Sequence, residues 1–332
     1  MSVITSKHPT LLDFASRLGE NNKIEKEIIE MLAETNEMIE DMTFVECNDG
    51  TSHKTTIRSG LPEATWRQLN YGVQPTKSTT RQVKDSTGML EAYAEVDKAL
   101  ADLNGNTAEF RMSEDAAHIE SMNQAFMDTV IYGNTAVDPE KFMGLAPRFN
   151  SLSAENGQNI ISASGAGADN TSIWLVVWGK KTAHGLYPKG TKAGLQMRDL
   201  GEQTLEDADG GKYQGYRSHY KWDSGLTVRD WRYVVRIANI DISNLTKDAA
   251  SGADLVDLMT QAIELLPAGY AAAGRAAFYC NRTIRSYLRR QIKNADNVNL
   301  TLEQIAGKHV LAFDGIPVRR VDAILNTEAV VS

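Results

Sequence analysis

The stretch from Ser113 to Leu145, SEDAAHIESMNQAFMDTVIYGNTAVDPEKFMGL, constrains this chain more than any other, because it reads as one long helix, an abrupt stop and a glycine-punctuated turn. Ser113 suits an N-cap. Glu114 and Asp115 suit the positive end of a helix dipole, and Gly133-Asn134 offers the left-handed conformation that ends many helices. Ile119, Met122, Phe126 and Val130 recur at three- and four-residue spacing with Ala116 beside them, giving one narrow apolar stripe on an otherwise polar rod. A rigid rod at mid-chain, with no catalytic constellation around it, points to construction rather than chemistry.

The 332 residues fit one large domain or two ordinary ones and can bury roughly 75% of their unfolded surface. With 42% apolar and 23% charged residues, the composition is that of a folded protein, neither disordered nor fibrous. No segment approaches the roughly 20 apolar residues of a membrane span, and MSVITSKHPT lacks the apolar core of a signal peptide, so neither membrane insertion nor export is expected. Cys47 and Cys280 stand far apart without CxxC spacing and read as free structural thiols in a reducing compartment. A formal charge of -8 argues against broad adhesion to nucleic acid. The charge is uneven, however: nine acids crowd Glu20–Glu46 against Lys23 and Lys26, whereas Arg275, Arg282, Arg285, Arg289, Arg290 and Lys293 follow one another without an intervening acid.

Residues 22–42 repeat Ile24, Ile28, Met31, Thr35, Ile39 and Met42 in threes and fours, an amphipathic helix with a seam for a partner helix or for its own domain. Between Thr43 and Gly88 apolar residues are few, and turn signals at Ser59-Gly60-Leu61-Pro62, Tyr71-Gly72 and Gln74-Pro75 mark a long β-hairpin or loop. A segment that cannot build its own core must be disordered, laid on the parent domain or held by another subunit. Trp66 is its one large anchor, packed either locally or against a neighbour. MLEAYAEVDKAL then reads as a strand running into a short helix, and the Gly/Ser-rich stretch Ser151–Asn170 as a boundary or flexible loop.

TSIWLVVWG is a buried strand, and turns are expected at Asp209-Gly210-Gly211 and at Ser224-Gly225. Tyr216, Tyr220 and Trp222 share one strand face, and Trp231, Tyr233, Val235 and Ile237 another. Such a ladder is one side of a sheet core or, alternatively, a platform for stacking sugars. GADLVDLMTQAIELLP and a basic segment from about Ala272 to Lys293 read as helices. HVLAFDGIPVRRVDAIL closes as strand, tight turn and strand.

Chemical motifs fail on spacing. WLVVWGKKT has Trp174 where a phosphate loop needs glycine, and the calcium-loop start at Asp207 has Gly211 and Ser218 at its fifth and twelfth positions. The six histidines form no HxxxH or HExxH pair, and no GxSxG elbow occurs. No enzyme activity, cofactor or metal is expected. The basic helix offers either a phosphate-binding face or an acid-paired, solvated one.

In order and spacing, NEMIEDMTF, TTIRSGLPEATWRQLNYGVQPTKSTT, DSTGMLEAYAEVDKALADLNGN, SEDAAHIESMNQAFMDTVIYGN, PEKFMGLAPRFN, RDWRYVVRIANID and GIPVRRVDAI resemble major capsid proteins of tailed bacteriophages, in particular the short-tailed-phage group similar to the epsilon-fifteen shell protein. The resemblance runs over nearly the whole chain. It implies an α+β tailed-phage capsid (Johnson) fold: an N-terminal arm at 1–42, an extended loop at 43–90, a peripheral domain at 91–150 and 311–332, and an axial domain at 151–310. The residues place the peripheral domain's spine helix at about 113–132, the resemblance at about 107–132.

The implied function is self-assembly into an icosahedral shell around a DNA genome, with Arg58, Trp66, Lys77 and Arg81 of the loop and Ile28 and Ile39 of the arm as candidate intersubunit contacts. Implied partners are further copies in hexamers and pentamers, a separate scaffolding protein, a portal, a decoration (cement) protein, and packaged DNA bound without sequence specificity. The implied location is the virion, after synthesis in the bacterial cytoplasm. Some relatives weld subunits through a loop lysine. Lys54 and Lys77 lie in the right region, but no motif transfers that reaction and cross-linking is not expected. The alternative reading is a glycan- or receptor-binding virion module using the strands around Trp222 and Trp231.

Overall fold

The computed structural model describes residues 34–332 apart from 106, 208, 247–251, 295–299 and 306–307. Residues 1–33, with Ile28 and most of the expected arm, lie outside the described residues. Among the described residues the strands are β1 (Phe44–Glu46), β2 (Ser52–Gly60), β3 (Thr79–Asp97), β4 (Ile160–Ser162), β5 (Asn170–Trp178), β6 (Ala183–Tyr187), β7 (Gln196–Glu206), β8 (Lys212–Val228), β9 (Val234–Asp241), β10 (Arg275–Cys280), β11 (Leu300–Ile305), β12 (Lys308–Phe313) and β13 (Ile316–Arg320). The longer helices are α1 (Thr107–Tyr132), α2 (Leu255–Glu264) and α3 (Arg282–Asn294). The chain divides into two compact units, one of Met89–Met127 and Gly194–Asp223 with Glu34 and Thr35, the other of Asn36–Gly88, Asp128–Ala193 and Ser224–Ser332.

The larger unit is built around β5. It pairs antiparallel with β10 (Phe278↔Leu175) and β9 (Leu175↔Val235), and the sheet continues from β10 through β13 and β12 to β11. Every residue of β5 is buried, so both faces of this strand must be covered, which is why NTSIWLVVW is apolar without alternation. One face sends Ile173, Leu175 and Val177 into a cluster with Leu255 and Met259 of α2 and Ile284 and Leu288 of α3. Each such aliphatic side chain contributes roughly 1.5–3 kcal/mol when fully buried. The other face carries Trp174, edge-on to Phe149 at 6.0 Å, and Trp178, whose Nε1 donates to Tyr279 at 2.8 Å. Both helices start on side-chain caps: Asp254 accepts from the Val256 and Asp257 amides, and Asn281 Oδ1 accepts from the Ile284 amide at 3.0 Å.

The smaller unit pairs β7 with β8 as an antiparallel hairpin closed at Asp207–Gly211, where Asp207 donates its amide to the Gly211 carbonyl. The turn expected there is present. Trp222 stacks on Phe126 of α1 at 4.1 Å, and Phe110 joins Val96, Leu100 and Ala101 in a second small core.

Several expectations need correction. The helix starts at Thr107, so Ser113 lies within it and is not its N-cap; the start matches the position implied by the resemblance rather than the one implied by the cap residue. Its stop at Gly133 does not use a left-handed residue. Instead the turn back is so close that a Cβ on Gly133 would meet the Phe142 carbonyl at 2.4 Å. Ser224-Gly225 is no turn but the interior of β8, where glycine lets β3 approach: a Cβ at Gly225 would lie 2.9 Å from the Ser86 carbonyl. Trp231–Tyr233 is a short 3₁₀ turn, so only Val235 and Ile237 of the second ladder stand on a strand. Finally, the expected helix from Ala272 is broken: after a helical turn at Tyr270–Ala273, Arg275–Cys280 is the buried strand β10, with its neighbours β5 and β13 overriding the helix preference of its alanines.

Candidate assembly surfaces

β2 and the first half of β3 form a two-stranded ribbon, with Ser52 opposite Ser86 at its root and Gly60 opposite Thr79 at its far end; residues 61–78 make the tip. The register puts Ile57 across from Arg81 and Arg58 across from Thr80, so Arg58 and Arg81 project from opposite faces of the ribbon. Both are exposed, as is Lys77 in the tip, and among the described residues none of the three has an acidic partner within salt-bridge distance. Trp66 is fully exposed, so its local-packing alternative finds no support. Four more apolar side chains share the tip: Leu61 (79% exposed), Leu69 (82%), Tyr71 (69%) and Val73 (49%). Sequence reasoning missed these four, because Leu69, Tyr71 and Val73 alternate over too short a run, broken by the turn signals at Gly72 and Pro75, to read as a strand, and Leu61 stands apart beside Pro62.

Ile39 is half-buried on the helical turn Met38–Asp41. This turn shows where the acidic and basic segments meet. Buried Asp41 accepts from Tyr279 Oη at 3.0 Å and pairs with Arg319 (3.1 Å) and Arg275 (3.3 Å), while Glu37 pairs with Arg285 at 3.5 Å. The carboxylate beside Tyr279, together with burial, holds that phenol well above its ordinary range, burial being the larger cause. On α3, Arg282 reaches Asp322 at 3.4 Å and Arg290 lies over the Tyr287 ring, so the basic helix is an acid-paired surface on one side.

The strands around Trp222 and Trp231 give no stacking platform. Tyr220 is fully buried, Trp222 nearly so with its ring face covered by Phe126, and Trp231 belongs to a turn. Among the described residues, no group of His, Cys, Asp and Glu side chains is arranged to hold a metal ion, and no helix is long and apolar enough to cross a membrane. Cys47 and Cys280 are free and buried; burial pushes their thiols up to about 11 and about 12.

The profile of the family described as Major capsid protein GP7 matches residues 19–332. No curated protein matches the chain. Among solved structures, a chain of bacteriophage Epsilon15, determined by cryo-EM, shares 45% identity over 100% of this chain and 99% of its own length, with a TM-score of 0.80. The bacteriophage JBD30 capsid protein, at 8% identity, superposes with a TM-score of 0.50 over 92% of this chain and 96% of its own, a likeness of fold alone. The fold is the α+β Johnson fold of tailed-phage capsids, and the glycan-binding alternative has no support. This chain is a structural, non-enzymatic protein of the virion that assembles with copies of itself into a shell, and it belongs to the GP7 family of major capsid proteins.

Proposed function

We propose that residues 43–90 are the extended loop by which one copy is laid over its neighbour, with Trp66, Arg58, Lys77 and Arg81 in that contact. In this reading residues 1–42, with Ile28 and Ile39, form an arm to a further copy. Residues 91–150 and 311–332 form the peripheral domain around α1, and 151–310 the axial domain at the centre of hexameric and pentameric capsomers. The carrying observation is the set of five exposed apolar side chains within the ribbon's tip, since large apolar side chains exposed together in one short segment mark a contact surface. Three unpaired cations beside it call for an acidic rim on the receiving copy. A separate scaffolding protein, a portal and a decoration protein complete the assembly, which takes place in the bacterial cytoplasm around DNA held without sequence specificity.

Replacing Trp66 by Ala tests the placement. Because the indole touches solvent in the single chain, unfolding stability should stay within about 0.5 kcal/mol. Shell yield by negative-stain electron microscopy should fall sharply. Equal loss of folding and assembly would refute an intersubunit role for this side chain.

A further inference from the structure

We propose that the root of the β2–β3 ribbon is a proton-operated hinge, held shut by two uncharged buried imidazoles, His53 and His184, packed beside the Arg229 guanidinium. In the ribbon arms only Ser52, His53 and Asp85 are buried, so beside the close approach of β3 to β8 at Ser86 and Gly225 these few side chains attach the ribbon to the body. His53 stands directly across from Asp85 in the second rung. Its ring meets that of His184, on β6, edge-on at 6.0 Å.

Arg229 Nη2 lies 2.6 Å from His53 Nε2, and the Asn48 amide donates to His53 Nδ1 at 3.3 Å; a guanidinium and an amide N–H only donate, so neither contact favours an added proton on this ring. Arg229 also donates to the Lys180 carbonyl at 3.0 Å. His184 is fully buried, and among the described residues neither of its ring nitrogens makes a well-formed hydrogen bond, although the backbone at Gly179 favours a proton on the ring. Among the described residues the carboxylate facing the cluster is already engaged: Asp85 Oδ1 accepts from Arg148 at 2.8 Å and Oδ2 from the Thr227 hydroxyl. The neighbouring Cys47 thiol is neutral, and Asp49 is exposed and paired with Lys54. A proton on either imidazole therefore adds a buried cation beside the half-buried Arg229 with no free counter-charge, a costly arrangement that opening the root relieves.

Burial first, then Arg229, depresses both histidines, His184 to about 4. A group depressed in the closed state takes up its proton in the open one. Closure is therefore at full strength above about pH 6.5 and is lost as pH falls towards 4. The hinge acts within one chain and does not depend on where the tip docks.

Hydrogen exchange on the purified chain between pH 7.5 and 4.5, corrected for intrinsic rates, reads the opening directly. Amides in 52–60 and 79–88 should show an opening constant rising by up to about 100-fold per pH unit, the limit for two protons. Peptides from β5 should remain protected. His53→Gln or His184→Gln alone should reduce the rise to about 10-fold per unit, and the double variant should abolish it; His184→Phe serves if glutamine disturbs packing. A flat wild-type profile would overturn the hinge. So would an unchanged rise in the double variant, or loss of protection in β5 at the same pH, which would make the event global.

Discussion

Individual residues are least replaceable where charge is buried, because removing one partner strands the other. Arg236 and Glu328 are both nearly inaccessible and 2.9 Å apart. Glu328 also accepts from Tyr132 Oη and Ser172 Oγ, while Arg236 donates to the Phe149 carbonyl and lies over the Trp174 ring. Glu328→Ala leaves that guanidinium buried without its carboxylate, and urea denaturation should show a loss of about 3–5 kcal/mol. The Glu328 carboxylate, with burial the larger cause, also holds the Tyr132 phenol far above its ordinary range. The two thiols supply a second check. With Cys47 at about 11 and Cys280 at about 12, thiolate is scarce at pH 8, so a disulfide reagent should modify the native chain far more slowly than the urea-unfolded one. Rapid native labelling would contradict the burial of both. None of these partnerships was visible in sequence, since Glu328 and Arg236 are separated by 92 residues.

At the scale of elements, glycine decides where strands and helices come close. Gly225→Ala should cost about 1–3 kcal/mol, because its Cβ meets the β3 backbone at Ser86 and the Thr87 side chain, and thermal unfolding would register it. A loss under 0.5 kcal/mol would show that β3 yields. Elements with strong local signals were legible. The buried run of β5, the Asp207–Gly211 turn, the Asp314-Gly315 turn between β12 and β13, and the body of α1 all follow from apolar pattern and turn chemistry. The element that was not legible, β10, owes its strand conformation to neighbours 100 residues earlier and 40 later.

At the scale of the molecule, an acidic chain of net charge -8 must bring copies together, so contacts between like-charged bodies need local charge of opposite sign. The ribbon supplies it: between Lys54 and Lys84 there are six cations against Glu63. Reversing two of them, in Arg58→Glu with Arg81→Glu, should slow or stop shell formation, measured by light scattering, while leaving the unfolding midpoint unchanged. Raising salt should slow the wild type in the same direction, since exposed ion pairs are worth only about 0.2–1 kcal/mol each and are screened. Assembly unaffected by either change would remove electrostatics from the ribbon's contact. The candidate contact surface was half legible: Trp66 stood out as the largest side chain in a polar stretch, but the short alternation of Leu69, Tyr71 and Val73 is broken up by turn residues and did not mark a surface.

By itself, the sequence determined the long helix, the fully buried strand, the coreless ribbon and, through the order of its motifs, the capsid family, because local pattern and turn chemistry act over a few residues. Only the tertiary structure decided that Gly225 sits inside a strand, that β10 is a strand at all, that Asp41 collects Arg275 and Arg319, and that two histidines 131 positions apart meet at the ribbon's root. The physical reason is common to all four. Each depends on the packing of distant segments, whose close approach or shared burial leaves no mark on the residues alongside.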